Sequence, residues 1–80
     1  MTPLYSKQAT KYINALDAGT QQRIRTAINK LPNGDTKLIK GRGIATYRLR
    51  VGDWRVLYSF EGNNILIEKI APRGDIYKGV

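Results

Sequence analysis

The sequence predicts an α+β fold: a short N-terminal strand, a helical hairpin, then a three-stranded antiparallel meander. Three observations predict it. Two stretches place apolar residues at helical spacing, Ala9, Tyr12, Ile13 and Leu16, then Ile24, Ala27, Ile28 and Leu31. Gly52-Asp53 and Gly62-Asn63 sit between alternating apolar runs, as hairpin turns do. The chain has 80 residues, enough for one small domain spanning 1–80 but not for two.

The elements follow in order. Residues 2–5 suit an edge strand, where Pro3 is tolerated. Ser6 is a good N-cap for the first helix, and Gly19 a natural stop. Thr20 is placed to cap the second helix, which Pro32-Asn33-Gly34-Asp35 ends with strong turn chemistry. Residues 37–43 read as a basic connector with two glycines. Strands follow at about 44–51, 54–60 and 65–71. The last is apolar on both faces, which suits a more central strand, although Glu68 and Lys69 blur its pattern.

Alternation divides the meander. Leu49, Val51, Trp54, Val56, Tyr58 and Phe60 are expected to face the helices. Arg48, Arg50, Arg55, Leu57 and Ser59 then face away, on a side left open or covered by a ligand or partner. A two-residue turn at Gly52-Asp53 sets Arg50 directly opposite Arg55, with Arg48 on the same face. Like charges placed opposite each other destabilise a sheet, so this cluster calls for an anion.

Composition narrows the chemistry. Fourteen Lys and Arg against six Asp and Glu give a formal charge of +8 and a pI near 10.1. Such an imbalance points to nucleic acid or an acidic protein partner. Lys37, Lys40, Arg42, Arg48, Arg50 and Arg55 fall within residues 37–55, opposed there by Asp53 alone. There is no cysteine and no histidine, so thiol nucleophiles and the commonest general base are excluded. No pair of acids has a metal-binding spacing, and neither metal nor cofactor is expected. No apolar run approaches a membrane span and the opening Met1-Thr2-Pro3-Leu4-Tyr5 lacks a signal peptide's apolar core, so a cytosolic protein without membrane partners is expected.

Five residues read most simply as packing: Tyr5, Tyr12, Tyr47, Tyr58 and Trp54. Arg23, Arg25 and Lys30 read as a solvated helix face, which an acidic partner could also use.

The helical hairpin, Leu38-Ile39-Lys40-Gly41, Tyr47-Arg48-Leu49-Arg50, Gly52-Asp53-Trp54-Arg55-Val56-Leu57-Tyr58 and the terminal Pro72-Arg73-Gly74-Asp75-Ile76-Tyr77-Lys78 occur in that order. This ordered set resembles the RelE/ParE superfamily of bacterial type II toxin–antitoxin toxins, and within it the RelE-like mRNA interferases. The resemblance implies a metal-independent endoribonuclease that cuts mRNA on the ribosome and leaves a 2′,3′-cyclic phosphate. It implies a cognate antitoxin, acidic or DNA-binding. It places active-site positions at Arg48, Arg50, Arg55, Arg73 and Tyr77. By side-chain chemistry, Arg50, Arg55, Arg73 and Tyr77 are the expected catalytic set, and Arg48 joins Lys37, Lys40 and Arg42 as RNA contacts. Arginine at the first-strand positions departs from the lysines common in the family. Pro72-Arg73 stands where many members have His-Arg, and many members continue into a helix beyond this chain's Val80.

Elementary chemistry fits those roles. Self-cleavage of RNA needs an aligned 2′-hydroxyl, proton removal, stabilised phosphorane charge and a protonated leaving oxygen. Arginine forks suit phosphate but are poor proton donors. Tyrosine, with a pKa of about 10, can be drawn toward its phenolate by nearby arginines, or can stack on a base. Two alternatives share the fold: a ParE-like inhibitor that binds DNA gyrase, and a catalytically weak basic module that binds RNA or an antitoxin.

Overall fold

The computed structural model describes residues 2–76 other than 42 and 44, with Lys40 by its backbone alone. The chain runs β1 (Thr2–Tyr5), α1 (Lys7–Asn14), α2 (Ala18–Asn29), β2 (Thr36–Lys40), β3 (Thr46–Val51), β4 (Trp54–Glu61) and β5 (Asn64–Pro72). These strands form one mixed sheet in the order β1-β5-β4-β3-β2. β1 lies parallel to β5, and the other neighbours are antiparallel. The fold is α+β, as the sequence predicts, with one strand more in the continuous antiparallel part.

That strand is β2, where the sequence reads as a connector. Its residues Thr-Lys-Leu-Ile-Lys occupy a sheet edge, pairing Thr36 with Leu49, Lys37 with Arg48 and Leu38 with Tyr47. Leu38 is 52% exposed, so little burial advertises the strand locally. The backbone ladder to β3 creates it.

The helix boundary also differs. Ser6 caps α1 as expected, its hydroxyl accepting from the Ala9 N–H at 3.0 Å. Asp17, not Thr20, caps α2: its carboxylate accepts from the Thr20 N–H at 3.0 Å and the Thr20 hydroxyl at 2.7 Å. Gly19 therefore lies inside the first turn of α2. A carboxylate cap is favoured there because it meets orphan N–H groups at the positive end of the helix. These two hydrogen bonds hold the Asp17 carboxyl below its ordinary value.

The core lies between the helices and one sheet face. Ile13, Ile24, Ile28, Leu49, Val56, Tyr58, Ile65, Ile67 and Ile70 are all buried, with Tyr5, Tyr12, Tyr47, Trp54 and Phe60 packed around them. Tyr47, Tyr58 and Phe60 form one aromatic cluster, and Tyr12 meets Trp54 edge-on. Burial pushes the Tyr5, Tyr12 and Tyr58 hydroxyls above their usual value. Packing is thus the role of these aromatics.

A β-bulge explains the blurred pattern of β5. Leu57 pairs with Lys69 and Tyr58 with Ile67, leaving Glu68 as the extra residue. One extra residue shifts the alternation, so Ile65, Ile67 and Ile70 all reach the same core. The helix entry is fastened here: Ser6 donates its N–H to the Ile67 carbonyl and its hydroxyl to the Glu68 carbonyl. Past the end of β1, the Gln8 amide takes over as a strand neighbour, bonding both N–H and C=O of Ile70.

Candidate functional site

The β3–β4 hairpin sets the site. Val51 pairs with Trp54 across a two-residue turn, and Gly52 has φ 58°, the left-handed value such a turn needs at its first central position. Arg50 therefore pairs with Arg55, and Arg48 with Leu57. β2 adds Lys37 directly opposite Arg48 on the same face. Arg73 follows β5, and its backbone N–H donates to the Asp53 carbonyl at 2.8 Å. Arg50, Arg55 and the Arg73 backbone are thereby gathered at the turn end of the sheet.

The four basic side chains differ in environment. Arg50 and Arg73 are exposed, and the Arg50 side chain keeps 55% of its surface in water. Arg48 keeps only 18%, and its Nε is buried with no hydrogen-bond partner among the described residues. Arg55 is buried: its Nη1 donates to the Gly52 carbonyl at 2.7 Å and the Trp54 carbonyl at 2.9 Å. Backbone carbonyls thus take part of the role the sequence assigns to an anion.

The rest comes from Asp35. Its carboxylate lies 3.6 Å from Arg48 Nη2 and 3.9 Å from Arg50 Nε, while its carbonyl accepts from the Arg50 N–H. Asp35 precedes the basic run by two residues and was invisible as a partner until β2 formed beside β3. The arginine face is also not simply open. Leu57, Ala71 and Ile76 form a second buried cluster with Ile39 against it. The turn at 73–76 brings Ile76 back against Leu57 and Ala71 on this face.

A model of the ParE toxin of type II toxin–antitoxin systems (parDE) matches residues 4–77, nearly the whole chain. The chain belongs to this family, within the RelE/ParE superfamily. Solved structures agree on the fold of this toxin. A chain in the archaeal RelE–RelB complex from Pyrococcus horikoshii OT3 is 30% identical, with TM-score 0.74, covering 91% of this chain and 94% of that one. A chain in the RelB–RelE antitoxin–toxin complex from Methanococcus jannaschii is 26% identical, with TM-score 0.73, covering 96% and 98%. No curated protein matches the chain.

In this toxin the structure brings together Arg48, Arg50, Arg55 and Lys37 on one face, with Arg73 adjoining. Arg42 and Tyr77 lie outside the described residues, and Lys40 is placed only by its backbone pairing with Thr46. Two helix residues read as solvated do more. Arg25 lies over the Tyr5 ring, 5.2 Å from its centroid, and donates to Asn14 at 3.4 Å. The Arg23 guanidinium reaches the β3–β4 turn, where a Cβ on Gly52 would sit 2.8 Å from its Nη2. No local sequence signal marks Arg23, because the approach exists only once α2 packs on β3.

Proposed function

We propose that this toxin is a RelE-like endoribonuclease of a single domain, acting on ribosome-bound mRNA in the cytosol and held in check by a cognate antitoxin. One observation carries the reading: Arg50, Arg55 and the Arg73 backbone meet at one end of a sheet face that also presents Lys37 and Arg48. The RelE–RelB complexes among its structural relatives support both the branch and the antitoxin.

In this reading the 2′-oxygen of the RNA attacks the adjacent phosphorus. The bond from phosphorus to the 5′-oxygen breaks, that oxygen leaves with a proton taken from water, and a 2′,3′-cyclic phosphate remains. Arg50 and Arg73, exposed and forked, clamp the phosphate and offset its extra charge. Arg55 acts from below, as a fixed positive charge that also holds the turn. Lys37, Lys40, Arg42 and Arg48 take flanking phosphates. Tyr77 removes the 2′-proton or orients the base.

The test is cleavage of mRNA in a purified translation reaction. Codon-position cuts by wild type, lost in Arg50→Ala and Tyr77→Phe with folding intact, are expected. Wild-type cutting in both variants would reject these roles.

The family match favours a second reading, inhibition of DNA gyrase by binding, since the matching model is that of ParE. Loss of supercoiling activity in a gyrase assay, without mRNA cleavage, would establish it instead.

A further inference from the structure

The sheet face is not the only basic surface at the hairpin. β2 begins opposite Leu49, and Arg50 is held by the Asp35 carbonyl. Beyond that point the edge of β3 turned away from β4 has no strand beside it among the described residues. A groove of about 590 Å³ opens at this edge, between α2 and the loop at Asn33 to Asp35. Leu49, Val51 and Ala27 contribute to its floor. Arg50 and Asp35 belong both to the groove and to the arginine face, so the two are continuous around the sheet edge.

Its charges are unequal. Arg23, Lys30 and Arg50 line it against one carboxylate, Asp35. Asp35 lies against Arg48 and Arg50. Neither the Arg23 nor the Lys30 side chain has a hydrogen-bond or ion-pair partner among the described residues. Arg23 lies on α2 and Lys30 is its C-cap, seven residues on and about 10 Å along the axis. Gln22 and Asn33 add uncharged donors and acceptors of the kind that meet sugar hydroxyls and base edges.

We infer that this groove is a second RNA subsite, in which Arg23 and Lys30 bind backbone phosphates of the single strand leading away from Arg50. The inference rests on the RNA-cleaving reading and extends its site from the sheet face onto the helix hairpin. Charge decides the occupant: two unpaired cations beside an apolar floor, continuous with a phosphate clamp, match a polyanion strand.

The experiment measures binding of a labelled 2′-O-methyl oligoribonucleotide, which 2′-oxygen attack cannot cleave. An oligomer of about ten nucleotides, within the usual site sizes, is compared with a trinucleotide. Each phosphate contact in a single strand contributes a salt slope of about 0.7, so each lost contact weakens binding about five-fold at 0.1 M salt. Arg23→Ala with Lys30→Ala should therefore bind the longer oligomer about 25-fold more weakly, with a shallower salt slope. Its trinucleotide binding and thermal midpoint should stay near wild type. Lys7→Ala with Lys11→Ala, which removes two exposed charges from α1, controls for net charge, and Arg23→Lys with Lys30→Arg should restore binding.

A loss no greater than that of the Lys7→Ala, Lys11→Ala pair overturns the inference, as does an equal loss with the trinucleotide. A variant that keeps RNA binding but loses an acidic antitoxin assigns the groove to that protein instead. Arg50→Ala separates the two levels. If it weakens binding while the groove variant does not, only the groove fails; if neither does, the RNA reading itself fails.

Discussion

Arg50 and Arg55 stand directly opposite each other in the β3–β4 ladder, yet only Arg50 reaches solvent. The pair escapes its repulsion by dividing its partners. Arg55 turns its Nη1 onto the Gly52 and Trp54 carbonyls, and Arg50 lies against Asp35. Arg55 is thus part of the hairpin's construction as well as of the charged face.

Replacing Arg55 with Ala should cost about 1.5–3 kcal/mol, the range for hydrogen bonds to a charged group. For a chain of this size each kcal/mol lowers the thermal midpoint by about 4–8 °C. Arg50→Ala should leave the midpoint nearly unchanged. Thermal melts of the two variants check the difference, and a similar small effect for both would remove the structural role given to Arg55.

Asp35→Asn should act in opposite directions on stability and on RNA. Its ion pairs are long and its own side chain is more than half exposed, so their loss should cost under about 1 kcal/mol. Freeing Arg48 and Arg50 should strengthen binding of single-stranded RNA several-fold at low salt. Glu61→Gln, at the β4–β5 turn, removes the same charge far along the sheet. Equal gains in both variants would show that net charge alone is responsible.

Gly52→Ala should destabilise the toxin by about 1–2 kcal/mol, because φ 58° places an L residue in the left-handed region. The approach of Arg23 Nη2 adds little, since it is the tip of a flexible side chain. A double-mutant cycle with Arg23→Ala checks this. A coupling above about 0.5 kcal/mol would mean that the guanidinium, not the backbone, sets the cost.

Asp17 should make the toxin acid-sensitive. The Thr20 hydrogen bonds lower its folded-state pKa, so its contribution is present above the unfolded value of about 3.9. It is lost as pH falls through the lower folded value. Asn can still cap a helix but does not titrate. Melting temperatures measured from about pH 5 downward should therefore fall less steeply for Asp17→Asn than for wild type. Parallel curves would assign the acid response to other carboxyls.

Ile76→Ala should cost about 2 kcal/mol, the low end for a buried isoleucine, because its cluster with Leu57 and Ala71 is small. The turn at 73–76 should exchange its amides faster, while α1 and α2 stay protected. If the reading of Tyr77 is right, RNA cleavage falls as well, since Ile76 fastens the chain just before it. Unchanged exchange in that turn would show that something other than Ile76 holds it.

Local pattern made much of this fold legible. Ser6, the Ile13 and Ile24–Ile28 stripes, and both glycine turns carry their meaning within a few residues, through capping, helical periodicity and positive φ. The pairing of Arg50 with Arg55 follows from the turn alone. Thr36–Lys40 was not legible, because an edge strand buries too little to show alternation. The bulge at Glu68 appears in the sequence only as a break in alternation, since a bulge interrupts the period that marks a strand. Gly19 misled because Asp17, two residues earlier, caps better.

By itself the sequence determined the α+β class, the hairpin register and the crowding of arginines on one face, because these depend on periodicity and turn geometry. Only the tertiary structure decided what each charge does. Asp35 reaches Arg48 and Arg50 across a strand boundary, Arg55 is buried on carbonyls, and Arg23 crosses from a helix to Gly52. Such partnerships join residues distant in the chain or turned inward by packing. Electrostatic roles depend on distance and burial, and neither is written in a residue's neighbours along the chain.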